Sequence, residues 1–219
     1  MQCCSGTACA AAERQFGPQI AERDIQRYHR KGPDRVTRSL LEGVRTVIGD
    51  CRSVLDVGGG VGVVTFELLR AGLTEATLVD GSSSYVEAAG REAERLGLST
   101  RMRLFSGDFT AIAATIEPAD IVTMNRVVCC FPQYDGLIRE ASARCRRVFA
   151  FSYPHDRWYI RGWVNLDNLR RRVFRNPFRT FVHPPSAMEL ILAASGFQRI
   201  NRSQTAVWCV DVYSRVEAG

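Results

Sequence analysis

The sequence predicts an α/β fold in which a seven-stranded, mostly parallel sheet carries helices on both faces. Three observations predict it. Between residues 53 and 154, short runs rich in Val, Leu, Ile and Phe alternate with longer segments of helical periodicity, the pattern of strand–helix–strand units. The first strand candidate runs straight into a glycine-rich stretch, VLDVGGGVG over residues 54–62. The next strand candidates end on Asp80, just before Asp108, and on Asn125, at the carboxyl edge where open parallel sheets hold ligands.

Taken in order, residues 1–15 combine three cysteines with small and polar residues and read as a flexible tail. Apolar residues recur at helical spacing from Ile20 to about His29 and, past the break at Gly32-Pro33, from about Val36 to Val47. Residues 16–50 therefore read as a helical lid. Residues 51–153 hold the alternating core: strands SVLDVG, ATLVDG, RMRLFSGD, ADIVTMNRV and RRVFAFSYP, interleaved with helices such as GVVTFELLRAG and SYVEAAGREAERLG. Residues 154–183 break the beat with an arginine- and tryptophan-rich insertion. Over 184–219, a helix opened by Pro184-Pro185 and closed at Gly196 leads into two closing strands, the usual proline-start and glycine-stop asymmetry. One domain of 219 residues accommodates all of this.

Composition narrows the function classes. A chain that is 46% hydrophobic and 24% charged is an ordinary globular one. It lacks an 18-residue apolar run and the features of a secretory leader, so a cytoplasmic protein without a transmembrane segment is expected. The formal charge of +6 comes almost wholly from arginine, Lys31 being the single lysine. No aromatic-basic module accompanies it, so nucleic acid is not expected as a partner. The eight cysteines include no CxxC pair, which argues against structural zinc and for free thiols; no metal is expected.

The glycine stretch fits neither phosphate-holding pattern. In GxGxxG, the third glycine would fall on Val63 or Thr65, and no Gly-Lys-Ser/Thr follows for a P-loop. What stands there is D-x-G-x-G-x-G, with Asp56, Gly58, Gly60 and Gly62. This resembles motif I of the class I S-adenosylmethionine-dependent methyltransferases, and the order of elements over residues 45–153 resembles that Rossmann-like family too. The resemblance implies S-adenosyl-L-methionine as cofactor and S-adenosyl-L-homocysteine as product. Asp80, followed by Gly81, would take the ribose hydroxyls, a device that nicotinamide enzymes share. Gly107-Asp108-Phe109 resembles the adenine-binding turn, and Asn125-Arg126 stands where the family lines the methyl-transfer site. Residues 51–153 thus become a cofactor-binding core and 154–183 a substrate cap.

The acceptor is expected to be a small molecule methylated on oxygen or sulfur. The stretch from SYP to the closing strands resembles the magnesium-protoporphyrin methyltransferases, which esterify a propionate; the VVCCFP stretch departs from them. Cys129 and Cys130 could take a thiol-seeking or metalloid acceptor, or be small buried residues. Trp158 and Arg157, with their neighbours, could clamp a planar anion; an amphipathic helix with its aromatics in the core is the competing reading. Candidate proton acceptors are His155, His183 and Tyr28. The rival function classes are a cofactor-binding protein without turnover and a nucleic-acid methyltransferase, the latter disfavoured by NRVVCCFP where an NPPY-like motif would stand. Oligomeric state is left open.

Overall fold

The elements of the computed structural model, which describes residues 7–216 and the side chains of residues 11–216, run α1 (Thr7–Gln15), α2 (Pro18–Lys31), α3 (Arg35–Arg45), β1 (Ser53–Val57), α4 (Val63–Arg70), β2 (Glu75–Asp80), α5 (Ser83–Arg95), β3 (Met102–Ser106), α6 (Phe109–Ile112), β4 (Ala119–Asn125), α7 (Tyr134–Ala143), β5 (Cys145–Pro154), α8 (Trp158–Val173), α9 (Pro185–Ala194), β6 (Phe197–Gln204) and β7 (Trp208–Arg215). The seven strands form one sheet in the order β3-β2-β1-β4-β5-β7-β6. The first five are parallel, whereas β7 pairs antiparallel with both β5 and β6. This is the Rossmann-like arrangement the sequence predicts. The strand order reverses between β1 and β4, and a crevice opens at such a point beyond the strands' carboxyl ends.

Every residue of β1 is buried, as expected of a central parallel strand covered on both sides. Alternate residues divide between two cores. Val54, Ile121, Val148 and Ala150 face Leu40 and Leu41 of α3, Phe66 of α4 and Ala93 of α5. Leu55, Val122, Phe149 and Phe151 face Leu137 of α7 and Leu192 of α9. The closing strands are joined by a polar clasp: Arg202 of β6 donates twice to Asp211 of β7, both at 2.7 Å, and the Tyr153 hydroxyl of β5 donates to the same carboxylate at 2.7 Å.

The helix starts follow from local chemistry. Gly32-Pro33 ends α2, and Asp34 then caps α3 by accepting from the amides of Val36 at 2.9 Å and Thr37 at 3.0 Å. Ser82 caps α5 in the same way, and Pro185 occupies the first turn of α9.

One departure from the sequence reading concerns the tail. Residues 7–15 of the expected flexible stretch are helical, and Glu13 reaches the start of α5, where its carboxylate accepts from the Ser83 amide at 2.8 Å and from the Ser84 hydroxyl. A carboxylate at a helix N-terminus is favourable, because the first-turn amides are otherwise unpaired. Cys3 and Cys4 lie outside the described residues, as does the side chain of Cys9.

Asp34 does two jobs at once, since the Arg126 guanidinium donates to both of its oxygens, at 2.7 and 2.9 Å. Asp34→Ala removes a cap, at about 1 kcal/mol, and a partly exposed ion pair, at up to about 1 kcal/mol. Denaturant unfolding of this variant is expected to show a loss of about 2 kcal/mol, with Asp34→Asn recovering the capping part.

Candidate active site

The carboxyl ends of β1, β2 and β4 open into a cavity of about 720 Å³, roofed by α1, α2 and residues 177–181. That volume is in the upper part of the roughly 300–1,000 Å³ range of small-molecule sites. Asp56, Gly58, Gly60, Asp80, Gly81, Gly107, Asp108, Phe109, Asn125 and Arg126 all line it, as do Tyr28, Cys129 and Cys130. Gly62 does not: it caps α4, and a side chain there would meet Phe66.

The glycine loop is shaped by steric need. Gly58 has φ 65°, and a Cβ on it would lie 2.4 Å from Val127, far inside contact distance. Gly60, at φ 56°, turns its amide toward β2 and donates to Asp80 Oδ2 at 2.8 Å. The Ser82 amide donates to Asp80 Oδ1, also at 2.8 Å. Each Asp80 oxygen therefore carries one fixed donor and retains accepting capacity. Burial pushes the Asp80 carboxyl up to about 6, while the two amides pull the other way. Asp56 is completely buried beneath the loop, accepting from Thr123 Oγ1 at 2.7 Å and Thr65 Oγ1 at 3.0 Å; burial pushes its carboxyl up to about 6 as well. Asp56 thus braces the loop through two threonines.

Beside them, Asp108 caps α6 through Oδ1, accepting from the Thr110 amide at 2.9 Å and the Thr110 hydroxyl at 2.8 Å, while Phe109 presents a buried ring. Phe16 and Tyr85 stack at 5.3 Å along the lid side, and the Tyr85 hydroxyl donates to Asp24 of α2 at 2.8 Å.

At the other end of the cavity, Asn125 joins β4 to the lid, donating to Thr37 Oγ1 at 2.9 Å and accepting from Ser152 Oγ at 2.8 Å. Arg126 is one of two non-glycine residues with positive φ among those described, at 63°, and its amide donates to Ser152 Oγ at 2.8 Å. Its guanidinium grips Asp34 and stands 5.2 Å from the Trp208 ring. Burial works to raise the Asp34 carboxyl, but the bonds from Arg126, Thr37 and Arg27 outweigh it and hold that group well below the usual carboxylate range. Cys129 and Cys130 place their sulfurs 3.9 Å apart, both within reach of the Arg126 carbonyl. The neighbouring Cys129 and burial raise the Cys130 thiol above its ordinary value.

Several sequence candidates lie elsewhere. His155 is buried between β5 and β7, its Nε2 2.9 Å from the Thr205 carbonyl and its Nδ1 3.0 Å from Cys209 Sγ. His183 sits behind the cavity wall, 2.9 Å from the Phe131 carbonyl. Arg157 and Trp158 stand at the start of α8, outside the cavity, and Trp158 is 85% exposed. Tyr28 lines the cavity, but its hydroxyl donates to Glu67 at 2.8 Å and accepts from Arg70; burial and Glu67 raise it well above the ordinary phenol value. Residues the sequence reading missed are Asp34 and Trp208; Arg179, which lines the cavity, stood among the insertion's arginines offered there as an anion clamp. The Gly-Pro break followed by an aspartate was the available signal for Asp34 as a helix cap. Trp208 reaches the site only because β7 inserts between β5 and β6.

Residues 54–149 match the family model for the methyltransferase domain. That match spans less than half of the chain. No curated protein matches the chain in sequence. Among solved structures, the chain is similar to the magnesium protoporphyrin IX methyltransferase of Synechocystis PCC 6803 with bound S-adenosylhomocysteine, at TM-score 0.71 and 17% identity, over 95% of this chain and 100% of that one. An O-methyltransferase family protein of Burkholderia thailandensis matches at TM-score 0.71 and 15% identity, covering 95% and 64%. A methyltransferase of Streptomyces caelestis matches at 0.65 and 17%, covering 93% and 98%. At these identities, the structural likeness speaks for the fold. The matched stretch carries the glycine loop, Asp80, Asp108 and Asn125 together.

Asp80 sets a pH expectation. A ligand hydroxyl is bound by the carboxylate form, so S-adenosylhomocysteine affinity measured calorimetrically should level off about one pH unit above the Asp80 value of about 6. Below that, as Asp80 takes up its proton, it should fall by up to about tenfold per pH unit. Asp80→Asn should bind weakly with a flattened profile; a persisting slope would place the titration on Asp56.

Proposed function

We propose that the protein is an S-adenosylmethionine-dependent methyltransferase that esterifies a carboxylate on a largely apolar small molecule. The residues present fit the cofactor. Asp80, braced by the Gly60 and Ser82 amides, offers two accepting oxygens for a ribose; Asp108 and Phe109 offer an acceptor and a ring for adenine; and the glycine loop leaves room for backbone approach. When bound, the cofactor supplies a methyl group on a cationic sulfonium.

The choice of acceptor rests on one observation. The Arg126–Trp208 end of the cavity is rich in cation and poor in base. No histidine lines the cavity, and Asp34, the carboxylate at this end, is already taken by Arg126 with Arg27. Arg179 donates only to the backbone carbonyls of Asn176 and Phe178, with no carboxylate partner among the described residues. Arg126 Nε is buried without a partner. An alcohol or unactivated phenol would need a base to remove its proton; a carboxylate arrives deprotonated at neutral pH. Transfer would join the carboxylate oxygen to the methyl carbon as the carbon–sulfur bond breaks with its electron pair left on sulfur, and no proton would need to move. The protein's part is then positioning and exclusion of water: Arg179 and Arg126 orient the anion, while Phe178, Phe181, Phe131 and Trp208 enclose the apolar body.

The reading is tested by transfer of a labelled methyl group to a panel of aromatic carboxylic acids, phenols and thiols. A carboxylate product releases volatile methanol in mild base, whereas ethers and thioethers do not. Base-labile product is expected, with Arg179→Ala raising KM about tenfold or more, since charge-assisted bonds contribute about 1.5–3 kcal/mol. Base-stable product alone would replace the carboxylate with another acceptor.

A further inference from the structure

The helix α8 carries a face that the described residues leave uncovered. Its inner side is polar and engaged: Asn168 exchanges two hydrogen bonds with Thr180, at 2.7 and 3.0 Å, and Arg171 bonds Asp167 and stacks 5.0 Å from the Phe178 ring. Ile160 is its one buried residue. The apolar side chains point the other way, reversing the reading that put the aromatics in the core. With about 3.6 residues per turn, Trp158, Leu169, Val173, Leu166 and Tyr159 form one continuous outer arc, with Trp163 beside it. Trp163 is 71% exposed and Val173 70%. A contiguous exposed arc of this size marks an interaction surface.

We propose that α8 docks the protein on an anionic lipid bilayer, lying in the plane of the interface with this arc inserted. Charge complementarity singles out this occupant. Residues 156–175 hold six arginines and two aspartates; Asp156 pairs with Arg161 and Asp167 with Arg170 and Arg171, which leaves the segment with an excess of positive charge. Arg161 and Arg172 border one margin of the arc and Arg170 the other, so apolar residues meet the acyl region while arginines on both sides meet lipid phosphates. Tryptophan at the margin of such a face suits the headgroup level. A second copy of the same face would set arginine against arginine. The helix is 16 residues long, and no helix among the described residues is long and apolar enough to cross a membrane; α8 lies on the bilayer rather than through it. Because its inner side holds Phe178 and Thr180 of the cavity wall, docking would place the cavity beside the lipid, within reach of an amphiphilic acceptor.

The test is binding of the full chain to vesicles of phosphatidylcholine with about a quarter phosphatidylserine, against phosphatidylcholine alone, followed by co-sedimentation and by quenching of tryptophan emission with brominated lipid. Binding to the anionic vesicles is expected, weakened in high salt, with Trp163→Ser/Leu166→Ser lowering the partition coefficient about tenfold or more. Both side chains are exposed, so thermal unfolding and S-adenosylhomocysteine affinity should be unchanged in that variant. Equal failure to bind either vesicle would overturn the proposal. So would a dimer, seen by sedimentation equilibrium, that the same double variant converts to monomer.

Discussion

A single carboxylate, Asp80, ties together the two loops on which the site is built. It stands at the end of β2 and takes the Gly60 amide from the β1–α4 loop and the Ser82 amide from the β2–α5 loop, each at 2.8 Å. Neighbouring parallel strands end side by side, so one acid can anchor both turns while its remaining lone pairs face the cavity. Burial raises its carboxyl to about 6, a cost that a ligand's hydroxyl donors would offset. The glycines follow from this constraint. Gly60 makes that bond at φ 56°, a conformation that L side chains rarely adopt.

A second tie closes the far side. Asp34, Arg126, Asn125, Thr37 and Ser152 form one connected set of bonds between the lid helices and the ends of β4 and β5. Arg126, held in a left-handed conformation, spends its two terminal nitrogens on Asp34 and keeps only Nε unpaired, while Arg179 has no acidic partner among the described residues. The cavity thus has one end built from the strand termini and an apolar, cationic end built from later chain segments. An acceptor bringing its own negative charge suits that second end.

How much of this the sequence disclosed varies with the range of the interactions. The strand–helix alternation, the glycine loop, Asp80 and Asp108 were legible because each depends on residues near it in the chain. The histidines were not. His155 follows β5 directly and looks poised at the sheet edge, yet β7 lies beside β5 and brings Cys209 against it; no local pattern announces that pairing. Trp208 enters the site by the same insertion. In α8 the spacing showed two faces but not which would be covered, because the covering segment binds through Asn168 and Thr180, polar residues that a search for apolar periodicity assigns to solvent.

The most direct check on the account as a whole is a crystal structure with S-adenosylhomocysteine bound. The account predicts the ribose hydroxyls on Asp80, the adenine beside Asp108 and Phe109, and the sulfur directed toward the space between Arg126, Trp208 and Arg179. A nucleoside bound with Asp80 untouched, or a sulfur directed away from that space, would contradict it.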